Sequence, residues 1–272
     1  LPERISVPAL NLLFIGDVVG KGGRKAVQML IPELKSRYSC SFAIVNAENC
    51  AAGAGLNLNC IQEMTNADAF TSGDHTWDRK EFESEISGIP NIVRPANFSK
   101  YQPGNGWMKL RNPVGGDVVV VSLLGKVFMK DSAYCPFETM ERILQEIPAS
   151  CKNIFVDFHA EATSEKAAMA WFLDGKVTAV IGTHTHVQTA DARILPGGTA
   201  FLSDVGMVGG EDSILGREID DVVRKFRTGM PSRFAVVENK IVLHAAIIRY
   251  DYMTGRAQTI QTISEPFNAN DH

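Results

Sequence analysis

Five times along this chain a short apolar run stops abruptly at residues that bind metals or move protons. Residues 10–15 run into Gly16-Asp17, and residues 42–45 run into Asn46-Ala47-Glu48-Asn49. Residues 69–72 lead to Gly73-Asp74-His75, residues 154–158 to His159, and residues 177–181 to Gly182-Thr183-His184-Thr185-His186. Short, continuous apolar runs of this kind predict strands buried on both faces, the pattern of parallel sheets covered by helices. Between them lie segments of helical spacing, such as residues 24–38 with Val27, Leu30, Ile31 and Leu34, and residues 164–173. Strand and helix therefore alternate, which predicts an α/β fold, and in such sheets ligands gather beyond the carboxyl ends of the strands.

The rest of the chain fits around that frame. Residues 58–65, 79–87, 137–147 and 217–227 read as further helices. Residues 91–98 read as a strand entering a proline-fixed loop. Residues 107–111 and 117–124 read as antiparallel neighbours across the turn at 113–116, which begins a second sheet. Residues 199–202 form a strand ending in Ser203-Asp204, residues 234–237 and 241–250 a hairpin, and residues 258–263 a last strand. One domain over residues 10–265 is expected, with a leader at 1–9 and a tail at 266–272. The glycines around Lys21 do not make a P-loop, because three residues separate Gly16 from Gly20 and Gly22 follows the lysine.

Composition excludes several classes of function. A net charge of -4 offers no general attraction to nucleic acid or anionic lipid, so no stable nucleic-acid binding is expected. Five cysteines, without C-x-x-C spacing, argue against a disulfide framework and against a thiolate zinc site. No apolar stretch is long enough to span a bilayer, and residues 1–9 lack the pattern of a signal peptide. A cytoplasmic protein with free thiols is the expectation.

The five strand ends present Asp17, Glu48, Asn49, Asp74, His75, His159, His184 and His186. Carboxylate, amide oxygen and imidazole without thiolate suit iron, manganese or zinc, whereas magnesium alone would favour oxygen. One ion does not need so many donors; two ions close together and bridged by a carboxylate do. In extended chain His184 and His186 would point to one side, converging on one cation or on two adjacent ones.

Taken in order, these motifs resemble those of the calcineurin-like metallophosphoesterases, and over residues 10–263 the YmdB-type branch in particular. The phrases that carry the resemblance are Gly16-Asp17-Val18-Val19-Gly20, Asn46-Ala47-Glu48-Asn49, His75-Thr76-Trp77-Asp78, Arg94-Pro95-Ala96-Asn97-Phe98, Asp157-Phe158-His159-Ala160-Glu161-Ala162-Thr163 and Gly182-Thr183-His184-Thr185-His186-Val187-Gln188. The resemblance implies a four-layer α/β/β/α sandwich of two mixed β-sheets flanked by helices. It implies a dinuclear phosphodiesterase, with iron the leading metal, that hydrolyses 2′,3′- or 3′,5′-cyclic nucleotides by attack of a metal-activated hydroxide on phosphorus; a homo-oligomer is a separate expectation. Asp17, Asn49 and His186 would hold one metal, residue 74, His159 and His184 the other, with Glu48 bridging and His75 as proton donor. Rival expectations are a phosphomonoesterase or nucleotidase of the same fold, and a regulatory scaffold with an attenuated metal site.

Two positions depart from the family pattern. It implies Asn at position 74 and Arg after Gly125, where this chain has Asp74 and Lys126. With three carboxylates the two divalent ions retain about one positive charge instead of two, which predicts tighter metal binding and weaker activation of water. Among the neighbours, Glu161, Glu165 and Lys166 read as cap and surface residues, and Asp191 and Asp204 as partners for histidine N–H groups. Arg94 and Asn97 read as substrate contacts, His244 as structural and Cys50 as a packed thiol.

Overall fold

The computed structural model describes residues 9–113, 115–130 and 133–268. The first sheet takes up β1 (Ala9–Ile15), β2 (Asp17–Val18), β3 (Cys40–Asn46) and β4 (Ala69–Thr71), and the segments between and after them carry α1 (Gly20–Arg37), α2 (Leu58–Gln62) and α3 (Phe82–Glu85). The second sheet takes β5 (Trp107–Leu110), β6 (Val118–Leu124), β7 (Asn153–His159), β8 (Ala179–Thr183), β9 (Arg193–Ile194) and β10 (Ala200–Leu202), with α4 (Pro136–Glu146) and α5 (Thr163–Phe172) in its crossovers. The chain then returns to the first sheet through β11 (Met207–Gly210), α6 (Ile219–Thr228), β12 (Ile241–Asp251) and β13 (Ala257–Phe267).

The strand order is β2-β11-β12-β1-β3-β4 in the first sheet, with β13 also on β12, and β5-β6-β7-β8-β10-β9 in the second. β1, β3 and β4 run parallel, as do β6, β7, β8 and β10. The antiparallel strands lie outside these parallel runs, so both sheets are mixed.

Alternation along each interior strand explains the layering. In β1, Leu12 and Phe14 enter the core between the sheets while Leu13 and Ile15 join Val27, Leu30 and Leu34 of α1. In β6, Val118 and Val120 face inward, while Val119 and Val121 pack with Met140 and Ile143 of α4 and Met169 of α5. Both faces are dry, so the strands read as unbroken apolar runs. The result is the four-layer α/β/β/α sandwich. Each such fully buried side chain contributes about 1.5–3 kcal/mol, so the apolar floor stabilises the fold and leaves the polar strand ends free for chemistry.

Three expected elements differ. Residues 91–98 make only an isolated bridge between Ile92 and Phe70; Pro95 lacks an N–H for a ladder, and the Arg94 side chain instead bonds the carbonyls of Pro95, Gln102 and Pro103. Residues 234–237 contribute only a bridge from Val236 to Arg217, and the hairpin partner of β12 is β13. The helix expected over 79–87 shortens to α3 and a 3-10 turn. Of the expected leader and tail, residues 1–8 and 269–272 lie outside the described residues, whereas Ala9 belongs to β1, and Pro266 and Phe267 to β13.

Candidate metal centre

The centre rises from the inner face of β7. Period-two alternation puts Phe155, Asp157 and His159 on one side of the strand, the first in the apolar core and the other two fully buried above it. Asp157 accepts hydrogen bonds from Asn46 Nδ2 at 2.9 Å, from Thr183 Oγ1 at 2.7 Å and from Thr71 Oγ1. Burial raises its pKa, against the pull of His159 and of these three donors. The single hydroxyl proton of Thr183 goes to Asp157, so its oxygen accepts from Nδ1–H of His159, 2.8 Å away. That fixes which ring nitrogen of His159 is left for a metal. It is Nε2, which lies 3.0 Å from both Glu48 Oε1 and Asp74 Oδ1.

Glu48, Asp74, His159 and His184 each bring a ligand atom within 4.8 Å of the others, a set that could hold metal ions. His184 Nδ1 is 3.0 Å from His159 Nε2 and 3.4 Å from Asp74 Oδ1. Beside them, His186 Nε2 lies 3.1 Å from Asn49 Oδ1, and Asp17 Oδ2 accepts from the His184 N–H. Two buried carboxylate oxygens, Asp17 Oδ1 and Glu48 Oε2, have no hydrogen-bond partner among the described residues. Leaving such atoms unpaired is costly, and a cation satisfies them, so the donor set fits bound metal. Gly73 is required by the same crowding, since a Cβ there would collide with Glu48 Oε2 and the His159 ring.

The charges agree with this reading. Burial opposes the charged form of His159, yet Glu48, Asp74 and Asp17 outweigh it and hold its pKa well above the ordinary value. Burial likewise opposes ionisation of Asp74, but hydrogen bonds to His159 and His184 hold its carboxyl far below the usual range. Burial pushes Asp17 upward and pushes His186 down to about 4. For His75, burial is outweighed by Glu48, Asp74 and Asp78, so its pKa is raised; its Nδ1 sits 2.7 Å from Asp78 Oδ2.

The H-x-H segment is not extended. His184 and His186 have φ of 99° and 65°, left-handed values that cost non-glycine residues energy and need support from outside. Asp204 provides it: Oδ2 accepts from both the backbone N–H and the hydroxyl of Thr185 and from Lys166 Nζ, while Oδ1 accepts from the Gly206 N–H. The twist sends His184 toward Asp74 and His159 and sends His186 toward Asn49. On the other side of its ring, His184 Nε2 meets Glu161 Oε2 at 3.2 Å.

Comparison with known proteins places this architecture. The description of YmdB-like proteins matches residues 13–263. The chain belongs to the YmdB-like family. A Bacillus subtilis relative named 2′,3′-cyclic-nucleotide 2′-phosphodiesterase is 44% identical over 256 residues, covering 93% of this chain and 96% of the relative. A Mycoplasma genitalium protein named as a putative phosphatase/phosphodiesterase is 34% identical, covering 97% of both chains. A solved structure described as a novel phosphatase of Mycoplasma pneumoniae superposes with a TM-score of 0.89 at 32% identity, covering 96% of this chain and 95% of that one. A Thermus thermophilus structure of a hypothetical protein gives 0.87 at 36%, covering 94% and 99%.

Within this YmdB-like chain all eight expected site residues gather at one edge, but several neighbours play other parts. Lys166 is buried on Asp204, and Glu165 accepts from the backbone N–H groups of Lys126 and Val127, so neither is a surface residue. Asp204 and Asp191 bind Thr185, Ser203 and Thr189 instead of histidines. Asn97 is buried against the backbone of Leu124 and Tyr134. Arg94 lines a separate cleft of about 740 Å³ with Trp107 and Arg142. His244 and Cys50 are packed as expected. Asp157 was missed, although its place two residues before His159 on a strand was the available signal.

Proposed function

We propose that this chain is a dinuclear metal-dependent phosphodiesterase acting on cyclic nucleotides, 2′,3′-cyclic nucleotides foremost. The observation that carries the reading is the 44% identical relative named for that activity, together with carboxylate oxygens of Asp17 and Glu48 left partnerless among the described residues at the candidate metal centre. Asp17, Asn49 and His186 would hold one ion and Asp74, His159 and His184 the other, with Glu48 shared between the two sets. Iron is the proposed metal, with manganese and zinc as alternatives. Among the described residues no helix is long and apolar enough to cross a membrane, and the proposed setting is the cytoplasm, with self-association of the chain.

Divalent ions held there would supply Lewis acidity toward phosphoryl oxygens and would lower the pKa of a water toward neutrality. The protein's own groups do the rest. Thr183 keeps His159 in the tautomer that leaves Nε2 free, and Glu161 orients His184 from its far nitrogen. His75, held by Asp78 through Nδ1, lines the same cleft as the metal-binding residues and is the proposed proton donor to the departing ribose oxygen, a role typically worth ~100- to 10,000-fold in rate.

Chelator treatment is expected to abolish turnover of 2′,3′-cyclic AMP and bis(p-nitrophenyl) phosphate, and iron or manganese to restore it. Restored protein that prefers p-nitrophenyl phosphate would make it a phosphomonoesterase; metal-replete protein inert toward every ester would make it a scaffold. Asp74→Asn is expected to lower metal content and raise turnover per bound metal. Unchanged values of both would remove the charge argument for Asp74.

A further inference from the structure

The metal centre opens into a cleft of about 470 Å³ whose floor includes Glu48, Asn49, His184 and His186. Its outer wall is a different chemistry: Leu215, Val222, Phe226 and Phe234, from α6 and the segments on either side of it. This wall is tied to the metal-binding loops at two points. Leu215 O lies 3.3 Å from His186 Nδ1, and the Arg217 guanidinium donates to the carbonyls of Ala52, Gly53 and Phe234. It therefore stands at a fixed position beside the centre. Yet its most prominent side chain, Phe226, is 84% exposed, and Val222 is the only residue of α6 that is buried.

Resting on the phosphodiesterase reading above, we propose that this wall is the nucleoside subsite, with Phe226 and Phe234 recognising the base by stacking. A phosphodiester centred on the metals extends its organic part into the adjoining space, and the space is bounded by flat apolar surface of the size that holds small ligands. Stacking on aromatic side chains is tolerant of base identity, because every base has a π-face. Among the described residues the wall side chains Leu215, Val222, Phe226 and Phe234 carry no amide or hydroxyl to read a base edge, and the Arg217 guanidinium donates to backbone carbonyls. The subsite thus selects for a base without reading its hydrogen-bonding edge, purines being favoured only by their larger stacking face.

The test compares iron- or manganese-loaded wild type, Phe226→Ala and Phe226→Trp on 2′,3′-cyclic AMP and on ribose 2,3-cyclic phosphate, which lacks the base. Wild type is expected to favour the nucleotide by about tenfold in kcat/KM, chiefly through KM. Phe226→Ala collapses that preference and Phe226→Trp restores it. A preference that survives Phe226→Ala overturns the proposal, and a simultaneous drop in oligomer size by light scattering would assign the wall to a second copy of the chain. If wild type hydrolyses neither diester, the phosphodiesterase reading fails on its own. Calorimetric binding of adenosine 3′-monophosphate then decides: about tenfold weaker binding to Phe226→Ala than to wild type supports the subsite, and equal binding overturns it.

Discussion

The floor beneath His159 and the loop carrying His184 and His186 aim imidazoles at the same centre by opposite means. His159 ends a strand, its ring is fully buried, and a hydroxyl bonded to Asp157 sets its tautomer. His184 and His186 sit on left-handed backbone that would not persist alone, and Asp204, paired with Lys166, holds the loop from below. One half of the centre is positioned by the regularity of a sheet, the other by a buried ion pair. The first should fail gently, losing ligand orientation, and the second abruptly, losing structure.

The largest expected effect is on the loop side. Lys166 and Asp204 are 1% exposed each, so Lys166→Met leaves a buried carboxylate without its cation, a change that typically costs about 3–5 kcal/mol. Urea unfolding of the metal-free variant should show that loss. A change below about 1 kcal/mol, the scale of an exposed pair, would mean the loop is held by something else and the contrast is false.

On the floor side, Thr183→Val keeps the shape of the strand but removes the hydroxyl between Asp157 and His159. Losing the partner of a ligating histidine is expected to weaken metal binding about 10- to 100-fold, measured by competition with a chromophoric chelator, and Thr183→Ser should restore it. If Thr183→Val instead lowers the unfolding midpoint as far as Lys166→Met with metal affinity intact, the floor is scaffolding and not an orienting device.

The contrast also explains what the sequence disclosed. Strand alternation is local, so the polar residues that gather from the ends of β1, β3, β4, β7 and β8 are readable, as are both sheets and the helices over them. The direction of the two H-x-H imidazoles is not, because it depends on φ values enforced by Asp204 and Lys166, far apart in the chain. Lys166 itself misleads: a lysine in a helix first turn reads as solvated until its partner is known. The absence of a strand at 91–98 was foreshadowed by Pro95, while β12 pairing with β13 instead of residues 234–237 is a tertiary choice that the more apolar run at 234–237 conceals.

The smallest expected effect is a slope, and it carries the comparison into pH. In the metal-free protein the carboxylates around His159 raise its pKa, whereas burial lowers that of His186 to about 4; both start from about 6.5 in the unfolded chain. A raised folded pKa gives stability that is complete below about 6.5 and fades as pH climbs through the folded value. A lowered one leaves stability intact above about 6.5 and erodes it as pH falls toward about 4, because the unfolded chain takes up the proton first. Unfolding midpoints of chelator-treated protein from pH 5 to 9 should therefore separate the two sides. His159→Asn is expected to flatten the alkaline decline and His186→Asn the acid one. If the two variants change the same limb, the imidazoles share one environment, and the division of the centre into a floor side and a loop side does not hold.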